Sequence, residues 1–200
     1  MSKRFSLPTR ALVATTTVAA ALLAPATAHA GSLTIGDGTG DSWQEEISHG
    51  KVTGFSPAGS AVNADIVAVK VKHSARRVVV KTTFLDLSSK AEGVVTQTKV
   101  KTNEGRHYRI VFAKDGDSRG STGYLAGRRC GGIHEKVSFS KNVVKVSVPR
   151  RCLSAPRWIK VVSGGGNYWE KGDGNRASYR DIAGSTGPSL SGKSGKIRRV

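Results

Sequence analysis

The chain has 200 residues, with 32 Lys and Arg against 14 Asp and Glu, for a formal net charge of +18. Such an excess implies attraction to polyanions such as nucleic acid, teichoic-acid-type polymers or acidic polysaccharide, but it excludes reading a fold or a specific ligand from charge alone. Two cysteines without C-x2-C spacing exclude a thiol metal site.

The N-terminus reads as a signal peptide over residues 1–30. Lys3 and Arg4 precede an Ala-, Leu-, Val- and Thr-rich run over 11–24, and Ala28-His29-Ala30 places the cut before Gly31. A membrane anchor needs about 20 apolar residues, more than this run supplies. Removing Lys3, Arg4 and Arg10 with the leader takes the charge from +18 to +15. The remainder, 31–200, has the length of one domain and buries a real core.

Residues 31–63 are rich in Gly, Ser, Asp and Thr, and predict an irregular lead-in with at most one short strand near 51–55. Clear alternation follows. Over 65–73, Val67, Val69 and Val71 share a face opposite Lys70 and Lys72; over 77–85, Val78, Val80, Thr82 and Phe84 lie opposite Lys81. Ser74-Ala75 joins the two as a hairpin. A further hairpin, 94–102 with 106–113, turns at Asn103-Glu104-Gly105. It points Val100, Tyr108, Ile110 and Phe112 inward, and Lys99, Lys101, His107 and Arg109 outward.

Strand candidates continue at 124–129, 133–139, 143–148 and 158–162. Between the middle two, a hairpin centred on Lys141 brings together residues equidistant from it, and Cys130 and Cys152 are each eleven positions away. A disulfide is therefore predicted, fitting an oxidising compartment. With seven to eight short strands and no 3.6-residue periodicity after the leader, the fold class is all-β, an antiparallel β-sandwich over 31–183. The rest, 184–200, has almost nothing to bury and predicts a flexible basic Gly/Ser-rich tail. Within it, Gly187 to Ser194 matches the P-loop pattern G-x-x-x-x-G-K-[ST]. The match is rejected because no apolar strand precedes it and only six residues follow it.

Functional residues are sparse. Asp37-Gly38-Thr39-Gly40-Asp41, the 115–120 loop and Asp173-Gly174-Asn175 offer hard oxygen atoms on tight turns, which turn chemistry also explains. No cofactor is expected beyond a structural calcium, with Asp37 and Asp41 as its ligands. The 115–120 loop fails as an EF-hand, with Arg119 at a ligand position and Ala126 where Glu belongs. No H-E-x-x-H, G-x-S-x-G or acid pair marks an active site. His73, His107 and His134 sit beside Lys/Arg-rich faces as solvated side chains, and Asp65 and Asp86 read as strand-end residues. Tyr168 and Trp169 follow Gly164-Gly165-Gly166-Asn167, a loop able to display both rings for stacking; packing at the core edge is the competing reading, and Trp158 reads as core.

Ala64-Asp65-Ile66-Val67, Arg76-Arg77-Val78-Val79-Val80, Phe84-Leu85-Asp86-Leu87, and residues 146–153 with Pro156-Arg157-Trp158 resemble uncharacterised secreted proteins of actinobacteria, over about 37–162. The strand order after an Asp-Gly-rich opening is similar, more loosely, to β-sandwich modules of the DOMON and carbohydrate-binding type. The expectation is a secreted, monomeric, non-catalytic module. Its basic sheet face, Lys70, Lys72, Lys81, Lys99, Lys101 and Arg109, with Tyr168 and Trp169, would take an anionic polymer or polysaccharide of the cell envelope. No specific nucleic acid and no membrane span after processing are expected. Two alternatives stay open: a hydrolase with a dispersed carboxylate pair, and an exported domain whose charge has no specific ligand.

Overall fold

A computed structural model describes residues 31–49, 51–90, 93–115, 120–170, 176–190 and 194–199, leaving aside the side chains at 168–170 and 176–177. The leader over 1–30, most of the 115–120 loop, and Asp173-Gly174-Asn175 lie outside the described residues.

Thirteen strands are described: β1 (Gly31–Gly36), β2 (Ser42–Ser48), β3 (Lys51–Gly59), β4 (Ile66–His73), β5 (Arg77–Phe84), β6 (Gly93–Thr102), β7 (His107–Asp115), β8 (Thr122–Leu125), β9 (His134–Ser138), β10 (Val143–Pro149), β11 (Trp158–Glu170), β12 (Arg176–Ile182) and β13 (Ile197–Arg198). They form two antiparallel sheets. One has five strands in the order β1-β4-β5-β10-β9; the other has eight, β3-β2-β12-β11-β6-β7-β8, with β13 added to β11. The fold is therefore all-β, as the alternation predicts.

The core lies between the sheets. Val69, Val71, Val78, Val80, Phe84, Val144, Val146 and Val148 face Val100, Ile110, Phe112, Ile159 and Val161, all nearly fully buried. Each such side chain contributes roughly 1.5–3 kcal/mol on burial. Val67 does not join them: a bulge between Ile66 and Ala68 resets the alternation and sends Ile66 inward instead.

Four expectations are corrected. The lead-in is not irregular, because β1 pairs with β4 and β2 with both β3 and β12. Paired backbone there replaces the apolar periodicity on which the sequence reading relied. Gly164-Gly165-Gly166 is not a loop but the middle of β11. A Cβ at Gly165 would stand 2.9 Å from the Phe84 ring, so the missing side chain lets the sheets close over that ring.

His73 is not solvated. It points inward, is fully buried, and bonds the Ile197 carbonyl through Nδ1 at 3.2 Å. That carbonyl belongs to the segment expected to be a flexible tail, whose described residues instead make a strap. Ser194 exchanges hydrogen bonds with the backbone of Val161, and Ile197 is 3% exposed. The 191–193 part of the P-loop-like match lies outside the described residues.

The disulfide Cys130–Cys152 is present, with Cα atoms 5.9 Å apart. Its hairpin is offset from the predicted centre. Val143 pairs with Ser138 and Lys145 with Lys136, since a 3-10 turn at Phe139–Lys141 closes on Asn142 in the left-handed conformation. Both cysteines lie beyond the paired stretch, Cys152 in a second 3-10 turn at Arg150–Leu153, so the offset does not separate them.

Candidate functional site

The six basic residues of the expected face do not share one. Lys70, Lys72 and Lys81 project from the outer surface of the five-stranded sheet, whereas Lys99, Lys101 and Arg109 belong to β6 and β7 and project from the opposite side of the sandwich. Both sets alternate with inward apolar residues, and period-2 patterning assigns a face within a sheet without telling which sheet.

On the five-stranded sheet the register builds a row that the sequence reading missed. Lys70 stands opposite Lys81, Lys81 opposite Lys145, and Lys145 opposite Lys136, across four neighbouring strands. All four side chains are exposed, and Lys72 adds a fifth one step along β4. Strand spacing of about 4.8 Å gives the row a length of roughly 14 Å. The rest of this outer surface includes Ser32, Thr34, Arg77, Val79, Thr83, His134, Ser138, Val143 and Ser147, with no carboxylate facing out from these strands. Glu135 instead lies on the side of β9 that faces Val146 and reaches toward Gly123. Lys136 and Lys145 carried the same alternation signal as Lys81; reading their hairpin for its cysteines hid it.

The basic patch on the other sheet is more broken. Lys99 pairs with Arg109, and Lys101 lies between His107 and Lys160, but the strap crosses close by and its Leu190 carbonyl accepts from Lys99 Nζ at 3.4 Å. Tyr168 and Trp169 extend β11, paired through their backbones with Ser178 and Ala177; their side chains lie outside the description. Trp158 is not core. It is half-buried, with the Lys196 ammonium 5.1 Å from its ring.

Carboxylates gather at one end of the five-stranded sheet. Asp41, Asp65 and Asp181 each offer an oxygen within 4.8 Å of the others, and Asp37 lies beside them, close enough to raise the Asp181 pKa. The Asp37–Asp41 loop turns back through Gly40, whose φ of +79° suits glycine and aims its N–H at Asp65 Oδ2, 2.8 Å away. Asp181 accepts from the backbone N–H of Ile66 at 2.7 Å and of Ile182 at 2.6 Å. Asp37 Oδ1 accepts from Gly184 and Gly38.

Those bonds satisfy one side of the cluster only. Asp37 Oδ2, Asp41 Oδ1 and Asp65 Oδ1 are buried without a hydrogen-bond partner. Burial, more than repulsion from neighbouring carboxylates, pushes Asp181 up to about 7 and Asp37 up to about 6. Asp37 and Asp41 were expected as hard oxygen ligands. Asp65 and Asp181 were not, since Asp65 reads as a strand-end residue and the 115-residue separation between Ile66 and Asp181 leaves no local trace.

Arginines gather at the other end. Arg76, Arg77, Arg150 and Arg151 line a cleft beside the disulfide. Arg77 donates through Nε to Ser147 Oγ and through Nη2 to the Gly132 and Ser147 carbonyls, and Arg151 donates to the Gly131 carbonyl. Among the described residues none of the four pairs with a carboxylate; the ion pair found there joins Arg180 and Glu45.

No helix among the described residues is long and apolar enough to cross a membrane, and the disulfide is compatible with an extracellular protein. No protein-family model matches the chain, and no curated protein matches it.

Proposed function

We propose that this is an exported, non-catalytic binding module whose lysine row holds a linear anionic polymer or acidic polysaccharide of the cell envelope. The observation that carries the reading is the row itself. Like charges directly opposite each other destabilise a sheet, and here three such pairs follow in succession with no acidic neighbour to relieve them. A polymer with regularly spaced anions relieves all of them at once. Attraction is then electrostatic, with release of counterions, and is salt-dependent. If each lysine counts as a phosphate contact does in nucleic-acid binding, five give a log–log salt slope of about −4.

The hydrolase alternative asks for two carboxylates meeting in a cleft. Asp65 and Asp181 do meet, but each is 1% exposed, which supports binding over catalysis because a polymer has no access to them.

The test is sedimentation of the purified protein with isolated cell wall, native and stripped of anionic polymers, over a salt series. Binding is expected to fall steeply with salt and to vanish on stripping. Combining Lys81→Glu with Lys145→Glu should weaken it on the order of tenfold or more, leaving the shallower slope of fewer contacts. A larger loss from Lys99→Glu with Arg109→Glu moves the site to the eight-stranded sheet. Binding that survives both salt and stripping points to neutral sugar, and none at low salt overturns the reading.

A further inference from the structure

We infer that Asp41, Asp65 and Asp181, with Asp37 beside them, form a binding site for a calcium-type divalent cation that ties the two sheets together. This inference is independent of the lysine row and of what binds there. Three carboxylates with ligand oxygens within 4.8 Å of one another come from three separate parts of the chain. Asp37 and Asp41 lie on the loop from β1 to β2, Asp65 immediately precedes β4, and Asp181 is in β12. β1 and β4 belong to the five-stranded sheet, β2 and β12 to the eight-stranded one. An ion held here therefore fastens one sheet to the other at the point where Asp181 already bonds Ile66.

Convergence alone does not make a site; the orphaned oxygens do. Asp65 is 1% exposed, its Oδ2 is held by Gly40, and its Oδ1 is left buried with no hydrogen-bond partner. Asp41 Oδ1 and Asp37 Oδ2 are in the same condition. A buried carboxylate oxygen without donor or counter-charge costs free energy unless something supplies positive charge. In a chain with 32 Lys and Arg, none forms an ion pair with these four aspartates among the described residues. Backbone donors hold Asp37 Oδ1, Asp65 Oδ2 and both Asp181 oxygens, so Asp37 Oδ2, Asp41 Oδ1 and Asp65 Oδ1 are left to coordinate, with Asp181 joining through an oxygen that already accepts one N–H.

The donor set selects the cation. Four carboxylates with no Cys or His are hard ligands, which disfavours zinc and copper. Magnesium keeps several waters and demands a strict octahedron, whereas calcium accepts six to eight oxygens in an adaptable shell that carboxylates, loop carbonyls and water can fill.

The experiment uses the purified protein, freed of metal with chelator and then titrated with CaCl2, MgCl2 and ZnCl2 while its Tm is followed. In parallel, Tb3+ emission is excited through tryptophan, Trp43 lying two residues from Asp41. At a hundredfold excess over Kd, calcium should raise Tm by about 5–10 °C. Magnesium should do less, and calcium should displace Tb3+. Asp41→Asn removes no backbone hydrogen bond, and Asp65→Asn keeps an oxygen for Gly40, so both should fold and lose at least about tenfold in calcium affinity. Two results overturn the inference. One is an unchanged wild-type Tm together with no Tb3+ emission at roughly 10 mM, above the usual range for extracellular calcium modules. The other is a calcium shift that persists undiminished in both variants.

Discussion

The two ends of the five-stranded sheet bury charge in different ways. At one end Asp41, Asp65 and Asp181 converge with Asp37 beside them, all but Asp41 held by backbone N–H donors, with no Lys or Arg paired to them among the described residues. At the other, Arg77 and Arg151 are satisfied by backbone carbonyls of a loop closed by Cys130–Cys152. The eight residues of β4 hold the ends about 25 Å apart, beyond the screening length of roughly 8–10 Å at physiological salt, so neither neutralises the other. A net charge of +18 thus conceals one end whose Arg77 and Arg151 are satisfied by carbonyls, with Arg150 Nη1 left buried and unpaired, and another that still lacks positive charge.

The largest expected effect breaks the arginine end alone. Cys130→Ser with Cys152→Ser opens a loop of sequence separation 22, which the chain-entropy account makes worth about 3 kcal/mol. Tm should fall by about 6–12 °C. Hydrogen exchange should quicken at Gly131, Gly132 and through His134–Ser138 while remaining unchanged across Asp37–Asp41. Equal loosening at both ends would show that they are not independent.

Protons sharpen the contrast, because the ends answer them with opposite sign. Burial raises Asp181 to about 7 and Asp37 to about 6, so the folded protein holds protons that the unfolded chain has released near pH 4. Stability in chelator must therefore decline as pH rises from about 4 to 7. His73 moves the other way. Burial lowers its pKa below 6.5, with the Arg150 and Arg199 charges adding to the effect, so stability declines as pH falls through 6.5, where the unfolded chain gains a proton first. In chelator the two aspartates outweigh the one histidine below pH 6.5, so Tm should fall as pH rises from about 4 to 7, less steeply below 6.5 than the aspartates alone would make it. Asp41→Asn, which removes a charge repelling both Asp37 and Asp181, should make that fall of Tm toward pH 7 smaller. Excess calcium should raise Tm most toward pH 7, where the carboxylates are ionised.

A smaller change isolates the strap. His73→Gln removes the titrating ring beneath the Ile197 carbonyl and its opposing slope, and so should steepen the fall of Tm with pH below 6.5 while leaving the slope between 6.5 and 7 unchanged. A changed slope between pH 6.5 and 7 instead would assign that slope to a group outside the carboxylate cluster.

What was legible in the sequence divides along the same line as the interactions. Val78, Val80, Thr82 and Phe84 announce their strand because alternation is local, and the cysteine pair was found because the hairpin that carries it is local too. β1 and β2 left little trace: β1 alternates but offers only Leu33 and Ile35 to the core, the burial of β2 alternates poorly, and the two strands pair with β4 and β12. The Gly164–Gly166 run reads as a loop by composition, yet close approach to Phe84 and β12 makes it a strand. Asp37 and Asp41 were visible on their glycine-rich turn, whereas Asp65 and Asp181 became ligand candidates only when the fold brought them there. The lysines were each assigned an outward face correctly, but two sheets with the same alternation had to be told apart by strand order.

The smallest effect concerns the row that runs across the sheet between the two ends. Lys81 lies between Lys70 and Lys145, so Lys81→Thr removes two like-charge pairs and introduces a residue suited to a strand. At low salt Tm should rise by about 1–3 °C, and the gain should disappear in about 0.5 M salt as screening removes the repulsion. The same protein should bind cell wall less tightly. Stability and binding moving in opposite directions is the signature of charges maintained against the fold's own interest, as a binding surface requires. If Tm rises while binding stays the same, the row only keeps the protein soluble. The polyanion site must then be sought at Lys99 and Arg109, where no such succession of opposed charges has to be relieved.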